Sequence, residues 1–339
     1  MLQDKIIRSI CYFSKSPSEE IISKVNEMTD VFVRNNYIVQ TKRICSFDVE
    51  KIKILDSKYG KDFTFSLGKL SKEVLISQFD YYFNNINTHF NIDLTDKNID
   101  GEDVQTLFNL IKKRPDKTFN FTYVFNNSLS TPFFPSASYE KDGFSIGLQP
   151  TDLSYSAKSL DEWFKKMKNI WHEIMEIVKD EKLFLGIDSS IAPMLSKEGS
   201  FIGFIKRLGM SFSQATTTNF FLRISSFIKK ENPKPVGLCG LMFPCLEDAE
   251  LADEYEQGNF SMERNVYLSL HSGLGVDTYP IGTNEKPSRV LEILKLIQGL
   301  SNKYKKPLSA RFVSDGKARV GDKTNFKNQY LKDVIIRSL

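Results

Sequence analysis

The sequence predicts an α/β protein built on a mostly parallel sheet or barrel. Three observations carry that prediction. Strand-like and helix-like segments alternate along the whole chain, the first alternation has a crossover length that suits parallel pairing, and no linker or low-complexity tract divides the 339 residues. At roughly 150 residues per domain the length alone suggests about two domains. The unbroken alternation favours one unit over 1–339.

Residues 6–13, IIRSICYF, are β-branched and aromatic and end at the turn-prone Ser14 to Pro17, which is the pattern of a buried strand. A helix follows. Ser16 is placed to cap it, Pro17 to occupy its first position and Glu19 to complete a capping box, while Ile21, Val25, Met28 and Phe32 recur at helical spacing. After Asn35 and Asn36, residues 37–46 (YIVQTKRICS) read as a second strand and close a strand, helix, strand unit. Helices are expected near 70–84 and 102–113, and a strand at 119–125. The helix near 159–179 has the clearest pattern, with Ser159 and Glu162 as a capping box and one stripe through Leu160, Trp163, Met167, Ile170, Trp171 and Ile174. The run KLFLGI at 182–187 reads as a short buried strand that leads into Asp188, Ser189 and Ser190. A helix ending at 227–230, an apolar strand at 236–244, a helical pair at 247–271, a helix at 286–304 and a strand at 308–313 complete the chain.

Composition narrows the function classes. With 46 Lys+Arg against 42 Asp+Glu and 41% hydrophobic residues, the chain is neither fibrous nor disordered. A net charge of +4 is too small over this length to indicate a nucleic-acid partner or an anionic membrane surface. Cys11, Cys45, Cys239 and Cys245 form neither a disulfide framework nor a C-x-x-C pair, which suits a reducing compartment. Asp4, Lys5 and Arg8 interrupt the first apolar residues, and no run reaches the roughly 20 residues that span a membrane, so a cytoplasmic protein is expected.

Several segments in a fixed order carry a resemblance. They are IRSI at 7–10, QTKRI at 40–44, TPFFPSASY at 131–139, FSIGLQ at 144–149, GIDSSIAP at 186–193 and GLMFPCLEDAELADEYEQGNFSMERN at 240–265. SGLGVDTYPIG at 272–282, KPLSAR at 306–311 and DGKARVGDKTNF at 315–326 complete the set. Together they resemble the domain-of-unknown-function family 711, whose members are conserved hypothetical proteins. The resemblance implies a β/α barrel of the pyruvate formate-lyase-like type, built from two parallel half-barrels, and no established reaction. A glycyl radical enzyme would carry Arg-Val-x-Gly-aromatic, whereas this chain has Arg319-Val320-Gly321-Asp322, one residue short and with an acid for the aromatic. Radical chemistry is therefore not expected.

In parallel α/β architectures functional groups gather at the carboxyl ends of strands. That rule selects Asp188, Ser189 and Ser190, which would present a carboxylate and two hydroxyls to a crevice or would cap the next turn. Glu247 and Asp248 follow an apolar segment, and Asp277 lies in a glycine-rich loop. Asp188, Asp248 and Asp277 are the candidate catalytic carboxylates, and Asp248 with Asp277 would hold Mg²⁺ or Mn²⁺ through hard oxygen ligands. The plainer alternative for Glu247 and Asp248 is the favourable end of a helix dipole. Arg8, Arg43 and Arg311 sit within strands among apolar neighbours, where a permanent charge needs a partner: Asp188 or Asp277, or a substrate carboxylate or phosphate. Lys317 and Arg319, on the loop from Gly316 to Asp322, are further candidates for an anion. His89, His172 and His271 form no ligand motif. The expected function is an enzyme acting on a small anionic metabolite, and a possible homodimer follows from the commonness of that state. The alternative is a non-catalytic protein that works through ligand sensing or partner binding, by an exposed TPFFP loop at 131–135 or by a basic face.

Overall fold

The computed structural model describes residues 5–77, 79–196 and 198–339. Among these, ten strands run β1 (Lys5–Phe13), β2 (Tyr37–Val39), β3 (Lys42–Cys45), β4 (Phe63–Leu70), β5 (Thr88–Asp93), β6 (Phe121–Phe125), β7 (Gly143–Leu148), β8 (Phe184–Asp188), β9 (Gly275–Pro280) and β10 (Leu308–Val313). They form one sheet in the order β8-β7-β1-β3-β4-β5-β6-β10-β9, with β2 also beside β1. Pairing is parallel except at β1 with β7 and at β6 with β10. The α/β class is as expected. Within each parallel set helices make the crossovers and cover the outer face.

The first crossover shows how local sequence gives this arrangement. Residues Glu19–Arg34 form the helix, and Ile21, Val25 and Phe32 from its expected stripe are buried. Its N-cap is Ser18, with no side-chain cap bond, instead of Ser16. Ser16 instead receives Lys51 Nζ at 2.5 Å. The strand expected at 37–46 divides at Gln40 and Thr41 into β2 and β3, both parallel to β1. Helix Leu160–Ile177 begins where its pattern predicts, with Ser159 accepting from the Glu162 N–H at 3.2 Å. Glu162 completes no box, because it accepts from the Lys158 N–H instead. Trp163 and Trp171 in its stripe are fully buried.

Two segments depart from their expected form, and both shape the interior. SGLGVDTYP, read as a loop, supplies strand β9, because parallel pairing to β10 holds it in the sheet on both sides of an irregularity at Thr278 (φ 37°). Residues 236–244, read as a strand, are not one, since Gly237 (φ 73°) and Cys239 (φ 42°) turn the chain out of the extended region. The run from Pro235 to Pro244 makes only single parallel bridges, Pro235 to Ile187 and Leu241 to Ile191 on one side, Leu241 to Gly273 and Pro244 to Asp277 on the other. It thereby links the two edge strands, β8 and β9. Among the described residues no helix is long and apolar enough to cross a membrane.

Candidate functional site

A cavity of about 410 Å³ lies against the sheet, a size suited to a small ligand. Side chains alternate along a strand, so residues two apart face it together. Ser309 and Arg311 reach it from β10, Gly275 and Asp277 from β9, and Arg8, Arg43, Thr64, His89 and Thr122 from β1, β3, β4, β5 and β6. Loop residues Phe133, Phe134, Met242, Phe243, Glu247 and Tyr330 form its walls.

Charge organises this interior. Arg311, buried, donates from Nε to Asp277 Oδ1 at 2.6 Å and from Nη2 to Glu247 Oε1 at 2.5 Å. Its remaining amino group reaches the Phe119 carbonyl at 3.4 Å, and its guanidinium lies 5.0 Å from the Phe119 ring centroid. Arg8 approaches the other Glu247 oxygen at 3.4 Å and Gln40 Oε1 at 3.3 Å. Burial raises the Glu247 pKa, against the pull of Arg311. The same two carboxylates raise the Arg311 pKa, and their pull outweighs the burial that lowers it.

Arg43 differs. It is only 8% exposed, donates to Thr41 Oγ1 and to the Pro132 carbonyl, both at 2.9 Å, and lies 4.9 Å from the Phe134 ring centroid. Among the described residues no carboxylate pairs with it. Burial first, and the Arg8 cation second, lower its pKa. Three guanidinium groups therefore face two carboxylates, and the surplus positive charge rests on Arg43.

The remaining candidates take other places. Asp188 is fully buried and does not border the cavity. It accepts from the Thr131 and Ser190 hydroxyls at 2.8 and 2.6 Å, and from the N–H groups of Ser190, Leu238 and Cys239 at 3.1, 2.8 and 3.1 Å. Burial raises its pKa, and these donors pull the other way. Asp188 thus ties the TPFFP loop and the 238–240 segment to the end of β8. A Cβ at Gly237 would meet Asp188 Oδ2 at 2.2 Å, so this crossing requires glycine. Ser189 is also buried and receives the Asn232 amide. Asp248 is the N-cap of helix Ala249–Glu256 and also accepts from Ser200 Oγ at 2.6 Å and Phe201 N–H at 2.8 Å. Its adjacent carboxylate, Glu247, turns into the cavity instead.

These positions bear on the metal expectation. Asp248 accepts bonds at the starts of two helices and Asp277 is ion-paired to Arg311, so the donor set does not fit a divalent cation. Among the described residues no group of three or more His, Cys, Asp or Glu side chains stands where it would hold a metal. The backbone of the Lys317 and Arg319 loop is satisfied within the loop, where Asp315 accepts from the Lys317 and Ala318 N–H groups and Asp322 from that of Arg319, and neither side chain borders the central cavity. Lys317 borders a neighbouring cavity of about 790 Å³, which shares Asn87, His89, Phe119 and Tyr330 with the first. Phe133 and Phe134 are buried, so the TPFFP loop is a cavity wall and no exposed docking surface.

The profile of the family described as uncharacterised ACR (DUF711) matches residues 74–327. The chain belongs to this family. No curated protein matches it. In this DUF711 chain the matched span holds His89, Glu247, Asp277 and Arg311, while Arg8 and Arg43 precede it on β1 and β3. The cavity therefore joins groups from inside and outside the family span.

His89 was not singled out by sequence, because histidines are read for ligand spacing and it has no such neighbour. It is buried at the wall of both cavities, and its Nδ1 has no hydrogen-bond partner. Tyr330 also borders both cavities, in a C-terminal stretch without strand or helix pattern to mark it.

Proposed function

We propose that the chain is an enzyme acting on a small anionic metabolite, a carboxylate or a phosphate ester, bound in the central cavity. The observation that carries this reading is Arg43, a buried cation whose partners are one hydroxyl and one carbonyl. An uncompensated buried charge is costly, and an anion entering the cavity offsets that cost with charge-assisted bonds. Glu247 and Asp277 are then the acid/base pair, held in place by Arg311. Asp188, Ser189, Ser190 and Asp248 position the walls and helix ends around them. The central cavity is best understood on a barrel of two parallel half-barrels, β1 to β6 and β7 to β10. The bridges through Pro235 to Pro244 support such closure. Four buried free cysteines favour the cytoplasm. Burial of the TPFFP aromatics removes one of the two surfaces on which the partner-binding alternative rested.

A thermal-shift comparison of anions with their uncharged isosteres tests the reading: lactate against lactamide, and glycerol 3-phosphate against glycerol. Near a hundredfold excess over Kd, an anion that fits is expected to raise the unfolding midpoint by about 5 °C. The uncharged member of each pair leaves it unchanged. Equal shifts within both pairs, or none with any anion, would refute the proposal.

A further inference from the structure

We propose that His89 is the neutral hydrogen-bond acceptor that the cavity offers a ligand, and that the ligand is an anion bearing a hydroxyl beside its charged group. This deepens the anion-binding reading and rests on it. Arg43 and His89 flank one aromatic ring: the guanidinium lies 4.9 Å from the Phe134 centroid, and the imidazole centroid lies 5.6 Å from the same point. Both groups line the same cavity, so a small anion held by Arg43 shares that space with the imidazole.

The groups around His89 keep it neutral. Arg43 on β3, Arg311 on β10 and Lys117 on the turn before β6 all disfavour a second positive charge, and burial acts in the same sense and more strongly. Lys117 itself is engaged by the Asn85 carbonyl at 2.8 Å, the Asn85 side-chain oxygen at 3.0 Å and the Ile86 carbonyl at 3.1 Å.

What His89 adds is an acceptor. The arginines supply N–H donors in excess, enough for any carboxylate, phosphate or carbonyl oxygen, while Glu247 and Asp277 are engaged by Arg311 and Arg8. A neutral imidazole beside these donors accepts a hydrogen bond, which the guanidinium groups cannot. The buried Nδ1 without a partner shows that no described protein group fills the ring's hydrogen-bonding capacity. A ligand hydroxyl, which both donates and accepts, serves either tautomer.

Calorimetric titration with matched anions tests this: lactate, pyruvate and propionate for the carboxylates, glycerol 3-phosphate and propyl phosphate for the phosphates. The wild-type protein is expected to bind the hydroxylated member of one series about tenfold more tightly than its unhydroxylated partner. In His89→Phe that ratio falls to about one, while the unhydroxylated anion still binds. Whichever series shows the preference identifies the anionic group. A wild-type protein that binds both members equally, or a preference that survives in His89→Phe, overturns the role of His89 and leaves the anion site standing. Absence of binding by every anion overturns both. Should His89→Phe fail to fold, ring-¹⁵N spectra of the wild-type protein decide: the His89 imidazole stays neutral through pH 6 and its shifts move on addition of the hydroxylated anion. A His89 ring that is protonated at pH 6, or unmoved by that anion, overturns the proposal.

Discussion

Arg311→Met is expected to destabilise the protein by about 3–5 kcal/mol, because it leaves the Glu247 and Asp277 carboxylates buried without their shared cation. Methionine keeps the volume and the aliphatic contacts of the stem, so the loss reports charge and not packing. The effect depends on pH in a definite sense. Without Arg311 the Glu247 pKa, already raised by burial, rises further. A carboxyl whose folded pKa lies above its unfolded value contributes stability below the unfolded pKa and loses it as pH rises through the folded one. The deficit of Arg311→Met against wild type therefore widens as pH climbs above the ordinary glutamate value of 4.5. Urea unfolding at pH 4.5 and pH 8 measures both parts. A deficit that is small at both pH values would show that the three groups are not coupled as the geometry indicates.

Asp188→Asn tests the scaffold behind the cavity. The carboxylate accepts five hydrogen bonds, from Thr131, Ser190 twice, Leu238 and Cys239. An asparagine of the same shape turns one acceptor oxygen into a donor NH₂ that faces other donors, and no solvent reaches it. The expected loss is about 2–4 kcal/mol, seen as a lower denaturation midpoint with an unchanged slope. Thr131 is released with it, so the Pro132 carbonyl that holds Arg43 loses its anchor and anion affinity falls as well. Retention of wild-type stability would mean that Asp188 does not bind the loop to the strand end.

The fold was legible where a segment's pattern agrees with its tertiary place. Helix Leu160–Ile177 and strand β1 are apolar on the face that the interior requires, and local periodicity therefore sufficed. It failed for β9, whose Gly275, Asp277 and Pro280 disfavour a strand and whose place in the sheet depends on β10. It failed conversely at 236–244, where an apolar run conceals two residues with positive φ. The site divides in the same way. That Arg8, Arg43 and Arg311 need partners follows from a permanent charge among apolar neighbours. Which carboxylates answer them does not, since Glu247 lies 64 positions from Arg311. Nor does the sequence decide between Glu247 and Asp248, adjacent acids of which one caps a helix and the other enters the cavity. His89 was invisible because what gives it meaning, Arg43, Arg311 and Phe134, comes from three distant segments.

The central claim is that Arg43 is the seat of an anion. Calorimetric titration of wild type and Arg43→Gln with the most stabilising anion of the thermal-shift panel tests it most directly. Glutamine preserves a polar donor and removes the charge, and the variant is expected to fold, because Arg43 has no carboxylate partner to orphan. One anion should bind per wild-type chain, and affinity should fall about 100-fold in Arg43→Gln. A folded Arg43→Gln protein that binds the anion as tightly as wild type would contradict the account.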